Sequence, residues 1–252
     1  MNSTTNQKVA VVTGSSKGIG KAIAIRLAKD SYCVYVTYFT DKAGGQDTVN
    51  EIKRNGGKSL LQKLDVSNEN SVSQLMSLVK NEFGHLDVLV NNACRDVSKS
   101  IEDSSYDEWK LAFNTKIHGA WLSTKHAIPL LKKSKNANVI IISSSADERP
   151  SPEILSYAIA TAATNSFAKA MATYLPNYGI RVNAVMPGEV RTANWGELEK
   201  DDKLWRKFAD NNPMKRVATT EDIADAVMVL INDPHKFLNG NFFFVNGGSH
   251  LK

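Results

Sequence analysis

Cysteine is nearly missing from this sequence, with Cys33 and Cys94 the two present in 252 residues. One thiol lies inside a strand pattern and the other in a loop, which makes neither a disulfide framework nor a zinc-ligand spacing. The five histidines, His85, His118, His126, His235 and His250, fall into no ligand motif, so no metal is expected. No apolar run approaches the roughly 20 residues that a membrane-spanning helix needs. Met1 to Gln7 is polar and lacks the charged start and apolar core of a secretory signal, so a soluble, cytoplasmic protein is expected. There is also no Pro/Gly/Ser-rich linker, low-complexity tract or internal repeat, and residues 1–252 read as a single domain.

Basic residues exceed acidic ones, 31 against 26, for a formal charge of +5. The one dense basic run, Lys132-Lys133-Ser134-Lys135, falls at a helix end, where lysines meet the negative end of the helix dipole. Without an aromatic-interleaved basic stripe, a nucleic-acid partner is not expected. An acidic, phosphorylated substrate carrier would make better use of the charge.

The most informative stretch is Lys8-Val9-Ala10-Val11-Val12, which runs into Thr13-Gly14-Ser15-Ser16-Lys17-Gly18-Ile19-Gly20 and then a helix with Ile19, Ile23 and Leu27 on one face. Gly14 permits the positive φ of a tight turn, Gly18 lets backbone approach a pyrophosphate, and Gly20 allows close helix packing. The unpaired N–H groups and positive dipole end of such a helix start suit a phosphate.

Strand and helix patterns then alternate. Strands are expected at 33–39, 59–64, 86–90, 139–142, 181–185 and 241–245, with Pro187-Gly188 ending the sixth. Helices are expected at about 43–54, along Val72, Leu75, Met76, Val79 and Phe83, over about 157–175, and from Thr220. A capping box at Ser105 to Glu108 starts one long helix through Trp109, Phe113, Ile117 and Trp121 to about Leu131. Repeated βα units with right-handed crossovers give an α/β, doubly wound parallel sheet of seven strands with helices on both faces. Glu189 to Asn212 carries Trp195, Leu198, Leu204, Trp205 and Phe208 without a neighbouring strand and reads as a lid over the site.

The phosphate-loop residues, followed in order by Asp65-Val66, Asn91-Asn92-Ala93, Ser144 and Tyr157 thirteen apart, Arg181-Val182-Asn183, and Pro187-Gly188 with Thr192, resemble the short-chain dehydrogenase/reductase family along essentially the whole chain. The ending Gly240-Asn241-Phe242-Phe243-Phe244-Val245-Asn246-Gly247-Gly248 resembles its ketoacyl-reductase-like branch. The resemblance implies a Rossmann-type domain that transfers hydride between a nicotinamide cofactor and a carbonyl or secondary alcohol. It implies Gly14, Ser16, Gly18, Ile19 and Gly20 around the pyrophosphate, Asp65 and Val66 at the adenine, and Asn91 and Ala93 along the ribose. Tyr157, Pro187, Gly188 and Val190 are further cofactor positions, with Thr192 at the carboxamide. Relatives pair through the helices after the fourth and fifth strands, so a homodimer or homotetramer is expected, with Trp121, Phe167 and Met171 as candidate interface or core residues.

An acidic residue closing the second strand would hold the 2′-hydroxyl of NAD and repel a 2′-phosphate. Here Tyr38 and Phe39 stand at that end, Lys17 lies in the phosphate loop, and Thr40 and Lys42 follow, which favours NADP(H) over NAD(H).

The resemblance makes Tyr157 the acid/base and Ser144 the residue that positions the carbonyl oxygen. A free tyrosine titrates near pH 10, and the family supplies a lysine four residues later to stabilise the phenolate. This chain has Thr161 there, Lys116 where the family has an asparagine, with Asn114 two positions early, and Cys94 where a glycine is usual. A unit charge about 5 Å away at an effective dielectric of ~20 is worth roughly 3 kcal/mol. The reading taken is that Lys116, entering from the long helix, replaces the missing charge beside Tyr157. The alternative is a non-catalytic NADP(H)-binding sensor or oligomer partner.

Overall fold

In β1 (Lys8–Val12) alternate side chains part company: Val9 and Val11 join one hydrophobic cluster, Ala10 and Val12 another. A strand buried on both sides in this way belongs inside a parallel sheet covered by helices on each face. The computed structural model describes residues 7–95 and 99–251, so the polar start before Gln7 lies outside the described residues.

The remaining strands are β2 (Tyr32–Tyr38), β3 (Lys58–Lys63), β4 (Val88–Asn91), β5 (Ala137–Ile142), β6 (Ile180–Pro187) and β7 (Phe242–Val245). Their order is β3-β2-β1-β4-β5-β6-β7, and every pairing is parallel. One face is covered by α1 (Gly18–Lys29), α2 (Lys42–Arg54) and α8 (Thr220–Ile231), through residues such as Ile23, Leu27, Ile52 and Ile223. The other is covered by α3 (Glu69–Phe83), α5 (Gly119–Leu131) and α6 (Leu155–Tyr174), through Leu75, Leu130 and Ala168. The chain winds outward from β1 in both directions, leaving a crevice at the carboxyl ends of β1 and β4 where such sheets bind ligands.

Several expected boundaries move. Leu86 does not start β4, because its N–H bonds the Leu130 carbonyl at the end of α5 rather than a neighbouring strand. β6 continues to Pro187, paired with Val245: the Val245 carbonyl accepts the Gly188 N–H, and the Pro187 carbonyl accepts the Ser145 N–H, so no N–H is required of Pro187 there. Phe167 and Met171 pack against the core, whereas Trp121 is 48% exposed.

The long helix is the main correction. It starts as expected, with the Ser105 hydroxyl accepting from the Glu108 N–H and Glu108 accepting from the Ser105 N–H, and α4 runs Tyr106–Phe113. A π-helical turn, Asn114–His118, then separates α4 from α5. Thr115 is its second residue: its hydroxyl donates to the Leu111 carbonyl and accepts the Arg95 N–H. A side chain inserted into the helical ladder widens the turn. The four-residue spacing from Phe113 to Trp121 therefore does not mark one buried face, and Lys116 becomes the buried residue of the turn.

Helix α8 packs against α1, joined to it by the Arg26–Asp225 ion pair, and begins with a Thr219–Asp222 capping box. The Arg216 guanidinium and the Thr219 N–H hold the Asp222 carboxyl down to about 2. Its folded value lies below its ordinary one, so its contribution is complete above about pH 4 and is lost as pH falls toward 2. Asp222→Ala should lower the thermal midpoint by about 3 °C at pH 7, a loss of roughly 1 kcal/mol. Melting curves recorded from pH 7 downward should show that gap narrowing below pH 4.

Candidate active site

The phosphate loop is shaped by steric exclusion. Gly14 and Gly18 have φ of +64° and +57°, values that favour glycine. A Cβ on Gly14 would lie 3.0 Å from the Ala93 Cα, and one on Gly20 only 2.3 Å from the Gly14 carbonyl oxygen. Three polar residues that sequence reasoning left without a role fasten the loop. Thr37 accepts the Gly14 N–H at 3.0 Å, the Asn92 amide donates to the Thr13 and Gly14 carbonyls at 2.8 and 3.0 Å, and the Thr13 hydroxyl accepts the Asn92 and Ala93 N–H groups. The second of two consecutive asparagines after a strand was the available signal. Helix α1 has no acidic side chain in its first turn and no side-chain cap at Lys17, so its leading N–H groups suit an anion. The residues present therefore fit a dinucleotide pyrophosphate.

Around this loop, Tyr38 is half-buried, and Phe39, Thr40, Lys17 and Lys42 are exposed. Asp41 caps α2 by accepting the Gly44 N–H at 2.9 Å, and a Cβ on Gly44 would lie 2.8 Å from the Ser16 carbonyl oxygen, so α2 begins against the phosphate loop. One Asp65 oxygen accepts from the Ser67 N–H and hydroxyl, closing the turn ahead of α3, whose cap is Asn68. Val66 touches Gly119, where a Cβ would come within 2.8 Å. The Asn91 amide donates to the Thr124 hydroxyl of α5 at 3.1 Å. Val190 bridges to Ala218, and buried Thr192 lies 3.5 Å from where a Gly18 side chain would begin. Pro187 and Gly188 continue from β6 toward Asn246.

The candidate reacting residues come from three elements. Ser144 follows β5, and its oxygen accepts the Ala146 N–H at 3.2 Å, which leaves its own proton to donate elsewhere. Tyr157 stands in the first turn of α6. Thr161, one turn on and 0% exposed, donates to the Tyr157 carbonyl at 2.8 Å, so its hydroxyl serves its own helix. The Lys116 ammonium, 5% exposed as a residue, lies 4.3 Å from the centre of the Tyr157 ring. The π-helical turn thus places a cation over the ring face. Asn114 turns the other way, its Oδ1 accepting from His118 Nδ1 at 2.8 Å. Lys116 also lines a small cavity with Val66, Asn91, Ala93 and Thr164, which gathers four of the positions singled out in the sequence.

Residues 189–212 form a helical excursion with an aromatic core of its own. Ala193–Lys200 holds two short 3₁₀ turns broken at Gly196, whose φ is +58°, and α7 spans Asp202–Asn211. The Trp195, Trp205 and Phe208 ring centres lie 5.1 to 5.7 Å apart, and the two indole N–H groups donate to the Val190 and Leu198 carbonyls.

Residues 14–250 match the family described as enoyl-(acyl carrier protein) reductase. Glucose 1-dehydrogenase 2 of Bacillus subtilis is 34% identical over 246 residues, covering 97% of this chain and 95% of that protein. The chain belongs to the short-chain dehydrogenase/reductase family. Among solved members of this fold, a promiscuous reductase that catalyses keto-reduction at C1 during lugdunomycin biosynthesis superposes with a TM-score of 0.90 at 29% identity, covering 100% of both chains. The angucycline C-6 ketoreductase LanV, solved with bound NADP, gives a TM-score of 0.89 at 25% identity over 98% of each chain. As in those short-chain dehydrogenase/reductase structures, a single parallel-sheet domain accounts for the fold.

Because a methyl group at Gly20 has no space, Gly20→Ala must displace either the Gly14 peptide or the Asn92 side chain. It should weaken dinucleotide binding at least tenfold in a fluorescence titration and cost about 1–3 kcal/mol of stability.

Proposed function

We propose that this protein is an NADP(H)-dependent oxidoreductase that interconverts a small-molecule ketone and the corresponding secondary alcohol. The observation that carries the reading is the Lys116 ammonium 4.3 Å from the centre of the Tyr157 ring, in a member of a family of nicotinamide-dependent oxidoreductases. When bound, the dinucleotide supplies or takes up the hydride. Ser144 donates a hydrogen bond to the carbonyl oxygen, its own oxygen being held by the Ala146 N–H. Tyr157 gives that oxygen the proton during reduction and takes it back during oxidation. Lys116 stabilises the negative charge left on the phenol from the face of the ring, where Thr161 has no charge to offer. Ser16, Gly18, Ile19 and Gly20 would hold the pyrophosphate, Asp65 and Val66 the adenine end, and Asn91, Ala93, Pro187, Gly188, Val190 and Thr192 the nicotinamide half. The 189–212 excursion acts as a lid on the substrate, and two copies associate through the face that carries exposed Trp121.

NADP(H) is favoured because Tyr38, followed by Phe39, rather than a carboxylate, closes β2, while exposed Lys17 stands at the start of α1. Asp41, further along, is engaged in capping α2. LanV, with NADP bound, supports the same choice. The second reading, a dinucleotide-binding protein without turnover, is favoured by the hydroxyl of Thr161, which is bonded within its own helix.

Fluorescence titration should give at least tenfold tighter binding of NADPH than of NADH, and Lys17→Ala should reduce that preference by about tenfold. Equal affinities would overturn the assignment of the cofactor. With a panel of ketones, Lys116→Met should lower kcat about 100-fold, the equivalent of roughly 3 kcal/mol, with NADPH affinity unchanged. Undiminished turnover in that variant would remove Lys116 from the reaction, and NADPH binding by the unaltered protein without turnover of any ketone or alcohol would establish the second reading.

A further inference from the structure

Beneath the reacting residues runs a buried polar chain to which none of the roles above extends. Asn165 lies on α6 two turns past Tyr157 and one past Thr161, and it is 5% exposed. Its Oδ1 accepts the Ser143 hydroxyl at 2.5 Å, and its Nδ2 donates to Asp147 Oδ2 at 2.6 Å. A carboxylate only accepts, so the amide nitrogen must face Asp147 and the amide oxygen must face Ser143. The direction of the chain is therefore set by chemistry.

The two residues that Asn165 grips bracket Ser144. Ser143 precedes it and ends the sheet pairing, its N–H donating to the Val185 carbonyl. Asp147 closes the turn that follows, in which the Glu148 N–H bonds the Ser145 carbonyl. Ser145 is itself fastened by its N–H to the Pro187 carbonyl. One side chain of α6 thus holds both ends of the five-residue loop that carries Ser144, and the same helix carries Tyr157. If α6 slid along its axis, both bonds would break and Tyr157 would shift relative to the loop that carries Ser144.

Packing alone does not account for this chain. Buried polar groups are costly unless paired, and Asp147 Oδ1 is buried with no hydrogen-bond partner among the described residues. An apolar contact between α6 and the loop would bury the same surface without that cost but would leave the register of the two elements unspecified.

We propose that Asn165, with Ser143 and Asp147 as its two anchors, is a positioning residue that sets Ser144 and Tyr157 in register for the carbonyl chemistry. The inference rests on the oxidoreductase reading above and deepens it. Asn165→Leu keeps the forked shape of the side chain and removes both bonds, while Asp147→Ala removes one anchor from a loop and leaves the helix interior intact.

A misplacement of about 1 Å costs on the order of 100-fold in rate. Asn165→Leu should therefore lower kcat by ten- to 100-fold and Asp147→Ala by three- to tenfold, both with NADPH affinity within twofold of the unaltered protein. A kcat within twofold of the unaltered protein in both variants would overturn the proposal. So would a parallel loss of NADPH affinity, which would mark a general loss of packing. If circular dichroism shows Asn165→Leu unfolded, Asp147→Ala decides alone.

Crystal structures of the folded variants give a readout independent of turnover. The separation between Ser144 Oγ and Tyr157 Oη should change, and an unchanged separation overturns the clamp whatever the rates. If the unaltered protein binds NADPH yet turns over nothing, the oxidoreductase reading fails, and that separation by itself decides whether the clamp exists.

Discussion

Beyond the ends of β1 and β4 there is no room for a side chain on Gly14 or Gly20, and the rest of the site depends on that closeness. The Gly14 Cα faces the Ala93 backbone, Gly20 abuts the Gly14 peptide, and the Asn92 amide is inserted across the junction. This contact turns the start of α1 toward the crevice and brings the end of β4, Asn91, and Ala93 in the loop after it to the same edge as the phosphate loop. Thr37 extends the bracing to β2, so three adjacent strands hold one loop. A loop held by backbone packing in this way is preorganised, which suits a phosphate ligand.

The groups proposed to react come from the opposite face of the sheet. The π-helical turn in the α4–α5 helix and the first turn of α6 meet where Lys116 covers the Tyr157 ring. A regular helix would carry each residue about 100° around the axis from the last, and the widened turn alters that phase. The Thr115 hydroxyl, bonded both to the Leu111 carbonyl and to the Arg95 N–H, links the turn to the β4 loop. The position of the cation and the path of the loop after β4 are therefore coupled.

Thr161 and Lys116 together show why a motif is better judged in three dimensions than by matching positions. Thr161 is fully buried and hydrogen-bonded to its own helix, which is an ordinary structural state for threonine. A lysine from a different helix stands next to the phenol. In the reading proposed for Lys116, charge acts through distance, so the element that delivers it is free to vary so long as the stem can reach.

The order of strands and helices, the phosphate loop and the Ser105 capping box were legible in the sequence, because alternation, glycine spacing and cap chemistry are local properties. The apolar positions of Val9 to Val12 already implied a strand covered on both faces. The Ser144–Tyr157 spacing was legible as well, but only as a pattern. Four features were decided by tertiary structure: the π-helical turn, the direction of Lys116, the Asn92 brace and the Asn165 bridge. Each depends on contacts between residues far apart in the chain, such as Arg95 with Thr115 or Ser143 with Asn165. Local propensity carries no information about where those partners lie, because only the packed sheet brings them within hydrogen-bonding distance.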